Sequence, residues 1–162
     1  MLSLDHVSLL GALAHTSLST AIRESTWAVM AMEAVHLIGL TLLGGPAIIV
    51  GLGALHSRGL RGLSVSTLTA GLLPVFRVGL VLMAVSGSLI TVSMPFKYYG
   101  NEAFRWKMLL LILALATTAV LVRLSRLEGL ASRQQMLQRG LALAALILWF
   151  GVGFSGRLIG FL

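Results

Sequence analysis

The chain has 162 residues, 57% of them hydrophobic and only 10% charged, with a mean hydropathy of +0.98, which excludes an ordinary soluble domain. Its net charge of +7, from twelve Lys or Arg against five acids, suits anionic headgroups. The basic residues are not interleaved with aromatics, so nucleic acid is not an expected partner. The absence of cysteine excludes disulfides, thiolate zinc sites, iron–sulfur ligation and cysteine nucleophiles.

From the N-terminus, Leu4, Val7, Leu10 and Leu13 recur at helical spacing with polar residues between them. They predict a short interfacial helix over Leu2 to Ala14. Asp5 and His6 interrupt the segment and no basic region precedes it, which argues against a signal peptide. A first span is predicted over 27–55, with Trp27 at one interface and Pro46 past the middle as a source of kinking. A polar loop, Ser57 to Ser66, leads to a second span over 68–94 that Pro95 ends. Phe96 to Glu102 reads as an aromatic interfacial turn, the third span as 103–123, and a charged connection with helical extensions precedes a fourth span over 141–162. The fold expected is all-α, one integral membrane four-helix bundle over 1–162 with the lipid bilayer as its solvent.

Four crossings put both termini on one side. Six basic residues follow spans one and three (Arg58, Arg61, Arg123, Arg126, Arg133, Arg139) and four lie on the other side (Arg23, Lys97, Arg105, Lys107). The positive-inside rule then predicts a multi-pass protein of the bacterial inner membrane with both termini periplasmic.

Ionisable groups within spans cost on the order of 2.5–3.5 kcal/mol each on insertion scales, so they mark candidate sites. Four are expected there: Glu33, His36, Arg77 and Arg157. Glu33 and His36 are three apart and share a helix face, and Arg157 reaches a similar depth from the opposite chain direction. A Glu33–Arg157 pair is one expectation, and simple helix clamping by that pair is its bland counterpart. His36 reads either as a hydrogen-bonded packing residue or as a ligand to copper or haem b. His56, twenty residues on, is about 30 Å further along a helix and cannot share one iron with it. Met30, Met32, Met94 and Met108 fall on the same side as His36, and thioethers with imidazole suit copper(I), although methionine is also common packing material. Arg77, with no acid at its depth, suits a haem propionate or a lipid phosphate. Gly153, Gly156 and Gly160 form a small-residue stripe fit for close helix packing, within the chain or against another copy or a larger complex. No Gly-rich phosphate loop, Ser–His–Asp set or carboxylate pair is present, so hydrolysis is not expected.

Trp27, the run Met32-Glu33-Ala34-Val35-His36-Leu37-Ile38-Gly39-Leu40, Leu43-Gly44-Gly45, and Asn101-Glu102-Ala103-Phe104-Arg105-Trp106-Lys107-Met108-Leu109-Leu110 together resemble an uncharacterised family of small bacterial four-helix membrane proteins. That family is similar in pattern to the membrane domain of copper resistance protein D and more distantly to membrane b-type cytochromes. The resemblance marks Glu33, His36, Gly39, Phe104 and Lys107. The resemblance implies a further histidine near the end of the third span in many members, where this chain reads Thr117 to Arg123 without one. The function expected is a small binding or electron-transfer component that handles copper or a redox cofactor around Glu33 and His36. The alternative is a structural accessory subunit of a larger membrane complex.

Overall fold

A computed structural model describes residues 11–12, 14–56, 60, 62–127 and 132–159. Among them are six helices and no strand: α1 (Ser17–Glu24), α2 (Thr26–Leu55), α3 (Val65–Ser93), α4 (Pro95–Tyr99), α5 (Glu102–Ser125) and α6 (Ser132–Leu158). Four of them, α2, α3, α5 and α6, are long and apolar enough to cross a membrane. Most of the interfacial helix expected over Leu2 to Ala14 lies outside the described residues, as does the last part of the fourth span.

Five of the six helix starts have a local cause. Thr16, Ser25, Ser64 and Asn101 accept from the backbone N–H of Ser19, Ala28, Thr67 and Phe104, satisfying donors that a first turn leaves open. Ser25 ends α1 and caps α2 at once, so the chain turns there without a loop. Pro95 starts α4, where the missing N–H costs nothing. The turn expected over Phe96 to Glu102 is therefore mostly helical. Gly62, at φ 82°, carries the reversal between α2 and α3, and Leu60 and Leu63 bond to each other across it.

Large apolar side chains cover the outside of the bundle, and several hydroxyls lie inside it. Val81, Ile112, Ile147, Phe150 and Phe154 are each more than 60% exposed, while Thr69, Ser86, Thr118 and Ser155 are buried. That arrangement suits a lipid surround, where hydrocarbon accepts large side chains and polar groups find partners inside. Around the bundle the neighbours run α3, α2, α6, α5, with α3 and α5 touching only slightly. Leu43, Ala47, Met83, Ala114, Trp149 and Val152 form the central layer. Trp149 Nε1 donates to Thr118 Oγ1 at 3.0 Å and meets the Phe76 ring edge-on at 6.2 Å, which ties α6 to α5 and α3. Ser19 of α1 donates to the carbonyls of Val92 and Ser93, closing the open end of α3.

Candidate functional site

The α2–α3 contact is set by two glycines. A Cβ on Gly79 would lie 2.5 Å from the Leu43 nitrogen and 2.9 Å from the Gly39 carbonyl oxygen, and one on Gly39 would lie 2.9 Å from the Met83 nitrogen. The backbones thus touch, and no larger residue fits. One turn from this crossing, toward the α1 end, His36 on α2 meets Ser86 on α3. Its Nδ1 is 3.0 Å from Ser86 Oγ, and its ring edge fills the space beside Gly87. Ser86 Oγ donates to the Leu82 carbonyl at 2.6 Å. With that proton committed, the hydroxyl accepts from His36 Nδ1–H, which assigns the tautomer and leaves Nε2 as the acceptor. Nε2 faces Lys107 Nζ of α5 at 3.5 Å. The lysine stem in turn lies over Gly156 of α6, 3.5 Å from where a Cβ would be. All four long helices therefore meet at one polar point near the α1 end of the bundle: α2 and α5 bring His36 and Lys107, α3 the hydroxyl, α6 the space.

Lys107 corrects the reading from sequence, which counted it among the surface cations. It lies inside α5, half-buried, and joins the site that His36 anchors. The signal for it was the Phe104–Lys107 spacing in the family-like run, together with the Asn101 cap. A cap at Asn101 puts Lys107 about 9 Å beyond the helix start, past the interfacial turn.

Glu33 is exposed one turn above His36, and it acts on the titratable phenol of Tyr98 on α4. Burial first, and then the Glu33 carboxylate, push the Tyr98 phenol above its ordinary value. Tyr98 is further held against the Phe104 ring at 5.5 Å and under Lys97 at 5.9 Å. Arg157 lies beside Gly156 and has interactions of its own. Arg77 lies on the exposed flank of α3, nine residues and roughly 13 Å before Ser86, so it does not join His36. Met32 and Met94 are half-buried and Met108 is 40% exposed, while both ring nitrogens of His36 are turned to Ser86 and Lys107. Among the described residues no three His, Cys, Asp or Glu cluster as a metal site. His56 bonds the Leu52 carbonyl at the opposite end of α2. Of the glycine stripe, Gly156 receives Lys107 and Gly153 has open space beside it, while Gly160 lies outside the described residues. The tight packing occurs instead at Gly39 and Gly79.

No curated protein and no solved structure matches the chain. A family model does match, over residues 10–162, and nothing in that match links the family to copper resistance protein D. On that span, nearly the whole chain, the protein belongs to a family of unknown function, DUF6644.

Proposed function

We propose that this protein is a small membrane binding component whose site is the His36–Lys107 pair, and that its ligand is a redox cofactor presenting an oxygen acceptor, such as a quinone carbonyl. The observation that carries this reading is the 3.5 Å approach of Lys107 Nζ to His36 Nε2. A primary ammonium inside a span is costly and packs poorly, so a lysine aimed at an imidazole with no carboxylate between them fits a ligand-binding role. The contact is at the long limit of hydrogen-bond distance, and an oxygen seated beside the pair takes a hydrogen bond from Lys107. Once the imidazole is protonated it gives a second. Solvent extraction of the purified protein, with chromatography and visible spectroscopy of the extract, tests this. A bound quinone-type compound that is depleted in Lys107→Met is the expected result; an empty extract from wild type together with unchanged partners in both proteins overturns it and leaves the accessory-subunit role.

Copper is the second reading, favoured by Met32 and Met94 being half-buried at the His36 end. It requires Nε2 to exchange Lys107 for the metal, because a cation already faces that lone pair. Elemental analysis separates the two ligands, since stoichiometric copper is expected only for the second.

For sidedness, moving Lys107 into a span leaves six basic residues in the loops after spans one and three against three on the other side, Arg23, Lys97 and Arg105. The site then lies in the periplasmic half of an inner membrane. A reporter fused after Leu162 is expected to be active only in the periplasm; cytoplasmic activity reverses the orientation.

A further inference from the structure

Where α3 and α5 diverge, at the end opposite the His36 site, they leave a groove of about 460 Å³ that opens sideways to lipid. Leu73, Phe76, Leu80 and Leu115 give it apolar walls, and Arg77, Arg123 and Arg126 line it as well. Arg123 and Arg126 are three apart on the last turn of α5 and its cap, so they share a face. Arg77 comes from across the groove, twelve residues or roughly 18 Å into α3, deep enough that its guanidinium must reach back toward the membrane surface. No carboxylate among the described residues pairs with any of the three. The carbonyl end of α5 contributes about half a negative charge, too little to balance three cations that converge on one cleft.

We infer that this groove is a binding site for an anionic phospholipid, with the phosphodiester held by Arg77, Arg123 and Arg126 and an acyl chain laid along Leu80 and Leu115. Guanidinium forks match phosphate oxygens, and three of them around one group remove their mutual repulsion. The apolar walls run on from the arginines toward the middle of the span, the direction an acyl chain takes from its headgroup. A soluble anion satisfies the charges and leaves those walls bare, whereas a phospholipid uses both. The inference is independent of the His36–Lys107 site.

Thermal unfolding in detergent supplemented with phosphatidylglycerol, phosphatidylcholine or inorganic phosphate provides the test. Phosphatidylglycerol is expected to raise the midpoint, the other two are not, and native mass spectra are expected to retain one phosphatidylglycerol. Two variants remove the effect by different routes. Arg77→Gln with Arg123→Gln and Arg126→Gln deletes the headgroup ligands, and Ala119→Trp fills the groove wall while leaving every arginine in place. If the triple variant does not fold, Ala119→Trp decides alone. Equal shifts from the two lipids, a shift reproduced by phosphate, or retained phosphatidylglycerol in Ala119→Trp overturns the inference.

Discussion

Gly39 and Gly79 face each other across the α2–α3 crossing so closely that a methyl group on Gly79 would stand 2.5 Å from the backbone nitrogen of Leu43. The obstacle is main chain, which cannot rotate aside, so the helices themselves would have to separate. Gly79→Ala is therefore expected to destabilise the protein by about 1–3 kcal/mol, the usual cost of overpacking. Because His36 and Ser86 lie one turn away, it should also loosen the site. Gly71→Ala, on the same helix with open space beside it, is the control and is expected to be neutral or stabilising by about 0.5–1 kcal/mol. Thermal midpoints of both variants in detergent check the pair. Equal effects at the two positions would show that helix propensity rather than the crossing is at work.

Trp149 and Thr118 should behave as a coupled pair. Both are buried, and their 3.0 Å hydrogen bond lies among apolar side chains where neither has water as an alternative. Interhelical hydrogen bonds in membranes contribute on the order of 0.6 kcal/mol and rarely above about 1.7. A double-mutant cycle of Trp149→Phe and Thr118→Val is expected to return a coupling energy in that range. Additive effects would mean that Trp149 contributes by volume alone.

Tyr98 gives a pH dependence. Its phenol titrates above the ordinary value in the folded protein, through burial and the nearby Glu33 carboxylate. A raised folded value means that the neutral phenol supports the fold. The contribution is complete below the unfolded value, near pH 10, and is lost as pH rises through the folded one. Tyr98→Phe should therefore flatten part of the alkaline decline in stability, and Glu33→Gln should move that part to lower pH. Denaturation midpoints across the alkaline range compare the three proteins. An alkaline profile of Tyr98→Phe superimposable on wild type would remove the phenol from the account.

The four spans were legible because each is a long apolar run, a signal that survives without any knowledge of neighbours. Rotation about the helix axis was not. The approach of Glu33 to Tyr98 was not foreseen, because it depends on how α2 and α4 are turned toward each other. Among eighteen glycines nothing in the sequence distinguishes Gly39 and Gly79 from the others, because close approach depends on two helices at once. The helix Ser17–Glu24 was missed because it is short and polar, its hold on the bundle resting on Ile22, Ser19 and the end of α3. His36 was found from its type, and its partners were not, because Ser86 is an ordinary residue in a span and Lys107 stands next to an aromatic interface.

The decisive prediction concerns Lys107, for which structure and function make opposite demands. As a half-buried cation with an imidazole in front of it and the small surface of Gly156 beneath it, Lys107 gives little to the fold. Lys107→Met keeps most of the stem, removes the charge, and is expected to leave stability unchanged or raise it, by up to about 2 kcal/mol on the scale of intramembrane charge costs. If the pair is a ligand site, the same substitution should deplete bound cofactor. A gain in stability with a loss of binding is the trade expected of a functional group held in an unfavourable place. Lys107→Arg retains the charge but not the compact ammonium geometry, so it should bind in part. His36→Ala should lose binding as well, and it should also cost stability, because Ser86 then has no partner across the helix interface. Midpoints and bound cofactor measured on the same preparations give the comparison. If Lys107→Met unfolds the protein at lower temperature while bound cofactor per folded molecule stays at the wild-type level, then Lys107 is a structural strut and the His36–Lys107 pair is not the ligand site.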